Sequence, residues 1–199
     1  STLFNLWGQK PVPHFAEPPY SPNQVPARFD KDEYLEKYPL IMTTGARHTA
    51  FFHSEHRQIP HLRALHPDPC FYLNQNVADR FGVKDGDWCW IENHLGRIQE
   101  KAVITPTLND RTISLDHAWW FPERSGEDSF DKDGKRLGCF DTYASNANVI
   151  VEAGCGESGF GNNCKSQMCT IYPCKPEEIY GETDMDEIVS KFSPNEELI

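Results

Sequence analysis

The apolar positions of this chain fall in short runs broken by turn-forming residues, not in the three-to-four spacing of long amphipathic helices. Leu40–Met42, Phe71–Leu73, Trp88–Glu92, Arg97–Thr105, Thr112–Leu115, Val149–Val151 and Met168–Tyr172 read as strands. Asn93 to Gly96 turns the chain between the third and fourth of these, and Asp85-Gly86-Asp87 feeds the third. One segment has helical signals at both ends. Asn74 suits an N-cap, Val77, Ala78 and Phe81 share a face, and Gly82 stops the helix. Asp30 to Lys37 predicts a second short helix or turn. Many short strands with little helix predict a mainly β fold, a closed barrel of six or seven strands with a few short helices.

The stretches between these elements divide the chain. Residues 1–37 are proline-rich at the start with few periodic apolar positions, and read as an arm or linker. Residues 38–174 hold the predicted strands, and residues 175–199 form an acidic C-terminal tail. Within the body, Pro60 to Pro69 carries three prolines and reads as a surface crossing. Arg124 to Arg136 reads as a charged surface insertion, and Gly154 to Asn163 as a glycine-rich loop.

At 199 residues the chain is long enough to bury a full core. Its 38% hydrophobic content and mean hydropathy of -0.62 suit a globular chain, and no apolar run approaches the ~20 residues of a membrane helix. The net charge is -11, from 19 basic and 30 acidic residues. Residues 175–199 contain eight acidic side chains against Lys175 and Lys191, a net of -6. The body is thus only mildly acidic, which leaves room for a local cationic patch but argues against nucleic acid as a partner. Of seven cysteines, Cys155, Cys164, Cys169 and Cys174 cluster late, but without the paired C-x2-C of zinc ribbons or a trusted iron–sulfur spacing.

The chemistry concentrates after the first predicted strand. Leu40–Met42 runs into Thr43-Thr44-Gly45, and Arg47, His48, His53 and Arg57 follow within a dozen residues. A glycine at a strand end lets backbone approach a ligand, and guanidinium groups beyond it suit a phosphate. Neither a G-x-G-x-x-G fingerprint nor a P-loop follows this strand. The bland alternative is a strand followed by an ordinary solvated loop.

The order of motifs resembles the C-terminal domain of the dimethyl sulfoxide reductase family of molybdenum and tungsten enzymes. The resemblance rests on the Pro/Glu-rich stretch Pro11–Pro22, then Thr44-Gly45-Ala46-Arg47, then Phe81-Gly-Val-Lys-Asp-Gly-Asp87. It continues through His117-Ala-Trp-Trp120, Ser145-Asn-Ala-Asn148, Lys165 and Cys169, spanning roughly residues 10–174. Phe51-Phe-His-Ser-Glu-His-Arg-Gln58 is most similar to the branch of acetylene hydratase, pyrogallol transhydroxylase and catechol dehydroxylases. Ala46 is a departure, because many members place Gly directly before Arg.

The resemblance implies a double-psi β-barrel that grips part of a bis(molybdopterin guanine dinucleotide) cofactor carrying molybdenum or tungsten. It implies that Thr44, Gly45, Arg47 and Arg57 meet phosphate, and that His48, His53 and Ser54 lie toward the pterin and dithiolene. His117, Trp119 and Trp120 would line the pterin or nucleotide slot, Asn146 would read the pterin edge, and Lys165 would lie near it. Bland readings stand beside each: surface salt bridges for the arginines, core packing for a tryptophan, an exposed lysine. His56, His61 and His66 read as structural. The residues expected at the cofactor are scattered over more than a hundred positions and should converge on one open face.

No nucleophile–base pair or molybdenum ligand is visible, so no catalytic or metal-binding residue is assigned. The family's iron–sulfur cluster and metal ligand would belong to other domains of an anaerobic oxidoreductase. This piece alone is expected to be inactive and to hold no cofactor. Its expected partners are the remaining domains of the parent catalytic subunit and an iron–sulfur electron-transfer subunit, with neither nucleic acid nor membrane insertion. Compartment is not readable, whether cytoplasmic or exported through a twin-arginine signal. Two rival functions stand beside this one: a stand-alone double-psi barrel for protein–protein recognition, and a small metal-binding module built on the last four cysteines.

Overall fold

The computed structural model describes residues 2–8, 12, 15–46, 48–53, 55–124, 128–130, 136–139, 143–153, 165–180 and 183–193. Two short helices, α1 (Thr2–Leu6) and α2 (Lys31–Lys37), precede strand β1 (Leu40–Ala46). Helix α3 (Pro60–Arg63), β2 (Cys70–Leu73), α4 (Gln75–Phe81), β3 (Trp88–Asn93), β4 (Gly96–Ile104) and β5 (Thr112–Asp116) follow. A separate ribbon pairs β6 (Asp128–Phe130) with β7 (Arg136–Cys139), and β8 (Gln167–Pro173) and α5 (Met185–Phe192) complete the order.

Six strands close into a barrel in the order β1-β5-β2-β4-β3-β8. Two neighbouring pairs are parallel, β1 with β5 and β2 with β4; the other four pairs are antiparallel. Closure leaves no free sheet edge, and inward side chains from all six strands fill the interior. Leu40, Met42, Phe71, Leu73, Ile91, Ile98, Ile113, Leu115 and Ile171 are all at most 2% exposed.

Local rules explain the helices. The Asn74 side chain accepts the Asn76 amide, Val77 and Ala78 turn inward, and Gly82 ends α4 at a φ of +67° where a side chain would be strained. Asp30 caps α2 through the Glu33 amide. That helix joins Tyr20, Tyr34, Tyr38 and Met168 in a buried cluster, which ties the N-terminal arm to the barrel.

Three segments differ from expectation. Val149–Val151 does not form a strand. Ala147–Ile150 is a 3-10 turn, because the Asn146 side chain caps it through the Asn148 amide and β8 already occupies the place between β1 and β3. Pro60 to Pro69 is more than a surface crossing, since it delivers Arg63 and His66 into the interior. The acidic tail contains α5, capped by Asp184 and anchored by the fully buried Ile188, which packs on α3 and the 3-10 turn Pro122–Arg124. The predicted loop from 154 to 163 lies outside the described residues. No helix among the described residues is long and apolar enough to cross a membrane.

Candidate functional site

Strand direction gathers the candidate residues at one end of the barrel. There β1, β3 and β5 finish while β2, β4 and β8 begin, as the register pairs Ala46 with Asp116, Met42 with Gln167 and Cys70 with Lys101 show. Thr44 and Gly45 lie at the end of β1, His117 just past β5, and Lys165 just before β8. The turn holding Asn146 covers the same end, because the Asn93 side chain donates to the Ile150 carbonyl at 2.6 Å. The Gln99 amide donates to the Ala144 carbonyl at 3.0 Å.

Lys165 carries the clearest link. Its Nζ donates to the Thr44 carbonyl at 2.6 Å across 121 positions of sequence, so an ammonium stands at the strand end where phosphate contact was expected. Thr44 is buried and its Oγ1 donates to the Asp116 carbonyl at 3.2 Å. Gly45 has a φ of +89°, inside a register break between Thr43 and Ala46. A Cβ at that φ would be strained, so this half-buried strand end carries bare backbone.

Loops from both flanks are bent at the same end. His53, His56 and Ala118 are the non-glycine residues with positive φ among those described, at +53°, +74° and +48°. Such strain persists where surrounding contacts over-determine it and concentrates at binding sites. Ala118 carries no sequence signal for it, because alanine, unlike glycine, asparagine or histidine, is not enriched at positive φ.

Arg57 supplies the contacts. Its Nη1 donates to the His53 carbonyl at 3.3 Å and its Nη2 to the His117 carbonyl at 3.0 Å, while its guanidinium lies 4.5 Å from the Trp119 ring centroid. It is 2% exposed, and burial lowers its pKa to about 10. Arg57 therefore pins two loops together rather than facing a phosphate. Trp119 corrects the expectation in the same way. At 0% exposure it sits with Phe51 and Phe121 in a second core cluster, so it does not line an open slot. Trp120 and His117 remain half-buried, and the His53 and His117 rings lie 5.4 Å apart.

His48 stacks on His66 with centroids 4.1 Å apart and planes 12° apart, and its Nδ1 accepts the Ala50 amide. Burial, then the neighbouring His66, lowers its pKa from the usual imidazole value. His66 Nε2 bonds Asp116 Oδ2 at 2.5 Å, a satisfied histidine as its sequence setting suggested. Arg47 and Ser54 lie outside the described residues. So do Cys155 and Cys164 of the proposed four-cysteine module, while Cys169 is fully buried on β8 in the barrel core.

Glu100, on β4 at this end, escaped the sequence reading. It is 0% exposed and neither carboxylate oxygen meets a hydrogen-bond partner among the described residues. Burial above all, then the Asp116 carboxylate, pushes its pKa well above the ordinary carboxyl range, against a weaker opposing pull from the Asp116 backbone amide, which lies short of full hydrogen-bond geometry, and from Arg57. The native state thus keeps a proton that the unfolded chain, with a carboxyl near 4.5, releases. Stability from the protonated acid is full below the unfolded value and is lost as pH rises toward the folded one. Glu100→Gln is expected to remove that pH-dependent loss, because an amide does not titrate. Urea unfolding from about pH 5 to about pH 8 checks it; equal pH slopes for the two proteins would refute it.

The orphaned buried groups at this end fit a ligand with a polar heterocycle and a phosphate. Ser145 Oγ is buried without a partner among the described residues, next to the half-buried Asn146 amide. Lys165 adds a cation, and Gly45 an accessible backbone.

The Molydopterin dinucleotide binding domain family matches residues 40–167. Dopamine dehydroxylase of Eggerthella lenta is 41% identical over 112 residues, 56% of this chain and 10% of that protein. Acetylene hydratase of Syntrophotalea acetylenica is 30% identical over 126 residues, 63% of this chain and 16% of that protein. This chain therefore spans a small part of the length of these relatives. The solved acetylene hydratase from Pelobacter acetylenicus superposes with a TM-score of 0.69 at 24% identity, over 87% of this chain and 23% of that one. That likeness establishes the fold, a barrel of the double-psi type.

Proposed function

This chain belongs to the Molydopterin dinucleotide binding domain family, and on that premise we propose that it is the C-terminal cofactor-gripping domain of an anaerobic molybdenum or tungsten oxidoreductase. The observation that carries this reading is the meeting of Lys165 with Thr44 at the ligand end of the barrel, beside Gly45 and the Ser145-Asn146 turn. The family match favours it over a protein-recognition barrel or a four-cysteine metal module. Likeness to dopamine dehydroxylase and acetylene hydratase supports placing the parent enzyme in their branch of the dimethyl sulfoxide reductase family.

When bound, the cofactor supplies the redox metal, molybdenum or tungsten. The residues of this chain bind and orient the organic part. The Asn146 amide and Ser145 hydroxyl suit a pterin edge, and Lys165 and Arg47 suit anionic oxygens. Arg57 and Trp119 act from behind, by holding the 48–57 loop against the chain that follows β5. An iron–sulfur cluster and the metal's protein ligand belong, on this reading, to other domains of the parent subunit. An electron-transfer subunit is the expected further partner.

Alone, the domain contributes only part of the grip and has no turnover. GDP, the nucleotide end of the cofactor, is expected to bind it at about millimolar to high-micromolar Kd, since a half-site lacks the enclosure of a full pocket. Calorimetric titration of wild type, Arg47→Ala and Lys165→Ala tests the reading, with several-fold weaker binding expected in both variants. Tight binding that neither substitution weakens would overturn the phosphate assignment.

A further inference from the structure

The ligand end of the barrel holds a second group of donors that the molybdopterin reading does not use. His66 offers an imidazole nitrogen, Cys70 a sulfur and Asp116 a carboxylate oxygen, and these atoms all lie within 4.8 Å of one another. His66 and Asp116 are each 7% exposed, and Cys70 is half-buried. We propose that His66, Cys70 and Asp116 form a binding site for a divalent transition metal of the zinc class, separate from the molybdopterin.

The donor set is the kind that a borderline-soft ion takes, one nitrogen, one sulfur and one anionic oxygen. The ligands are also held in place. Asp116 ends β5 and Cys70 begins the neighbouring β2, so the Cys70 amide donates to Asp116 Oδ2 at 2.8 Å and aims that carboxylate. The same oxygen meets His66 Nε2 at 2.5 Å. His48 stacks on His66 and fixes the plane of its ring. Such outer contacts orient metal ligands and tune affinity.

Access and charge agree with the donors. Of the three donors, Asp116 lines a groove of about 270 Å³ together with His48, Tyr72 and Ser114, which gives an ion a route to that carboxylate. A divalent ion with one carboxylate and one thiolate is neutral overall, the favourable state for a buried site. On binding, the metal takes the place of the hydrogen between His66 Nε2 and Asp116 Oδ2, and that proton passes through solvent to Nδ1, so the imidazole stays neutral. The Cys70 thiol gives its proton to solvent. The two bonded atoms then part from 2.5 Å to the roughly 3.3 Å edge of a tetrahedral site, which side-chain rotation can supply.

Titration of the 199-residue protein with Co²⁺, followed by displacement with Zn²⁺, tests the site without any molybdopterin. One ion per chain is expected, with a thiolate-to-cobalt absorption band that disappears in Cys70→Ser. Affinity is expected to fall about tenfold or more in Cys70→Ser and His66→Gln. Cys174→Ser, at a cysteine away from the cluster, should change neither. No binding, a band that survives Cys70→Ser, or a band lost in Cys174→Ser would overturn the proposal. If Cys70→Ser does not fold, anomalous scattering from zinc-soaked wild-type crystals decides. A peak among the three side chains supports the site, and a peak elsewhere or none rejects it. Because GDP binding does not involve these residues, failure here leaves the cofactor reading standing.

Discussion

Arg63→Ala is expected to cost about 3–5 kcal/mol of stability, the range for removing one partner of a buried ion pair. Arg63 is 0% exposed and its Nη2 meets Glu123 Oε1 at 3.0 Å, with Glu123 itself buried. The same guanidinium donates to the Pro67 carbonyl at 2.6 Å and to Thr183 Oγ1 at 2.9 Å. It therefore joins α3, the turn after β5 and the approach to α5. Alanine would leave the Glu123 carboxylate buried without its counter-charge. Urea denaturation of both proteins measures the loss. A double change, Arg63→Met with Glu123→Leu, should recover most of it, because apolar groups of similar volume do not need a partner. A loss below about 1 kcal/mol in the single variant would show that this pair contributes no more than a surface salt bridge.

Trp119→Ala is expected to cost a similar amount, about 3–5 kcal/mol, by opening a large cavity in the second core. The ring is fully buried, meets Phe51 and Phe121 edge-on, and carries the guanidinium groups of Arg57 at 4.5 Å and Arg63 at 4.8 Å. Desolvated cation–π contacts of this kind add roughly 2 kcal/mol or more each. Trp119→Phe keeps an aromatic face and should lose distinctly less. Thermal unfolding of the three proteins checks the order, and an alanine variant as stable as wild type would return Trp119 to the role of a replaceable lining residue. The 48–57 loop is expected to become protease-sensitive in the alanine variant, since Arg57 would lose the surface on which it lies.

Much of the fold was legible because its causes are local. The strands from Leu40, Phe71, Trp88, Arg97, Thr112 and Met168 are apolar runs bounded by turn residues, and all six enter the barrel. Asn74 and Gly82 mark the ends of α4 by chemistry that needs no tertiary contact. Val149–Val151 misled because a three-residue β-branched run suits a strand or a tight turn equally. The Asn146 cap decided for the turn. The tail misled through charge: Met185, Ile188 and Val189 form a short apolar stripe within an acidic background, and only Ile188 is fully buried.

The candidate site was legible by motif order and not by environment. Thr44, Gly45 and Lys165 were named from sequence, and the barrel brings them to one end. Their convergence follows from strand direction, which pairing determines over long range. Arg57 shows the limit. A guanidinium nine residues past His48 can face solvent, phosphate or the interior, and nothing local distinguishes these. Its burial depends on Trp119 and His117, sixty residues away.

The sequence by itself determined the family, the strand set and the capped helix, because motif order and short-range propensity are written in consecutive residues. Only the tertiary structure decided which charged and aromatic groups face a ligand and which hold the barrel together. It turned Arg57, Arg63 and Trp119 inward into one stack, and buried the Glu100 carboxyl completely. It also placed His66, Cys70 and Asp116 around one point. The physical reason is that burial and charge pairing depend on neighbours supplied by the closed sheet, and those neighbours are distant in sequence.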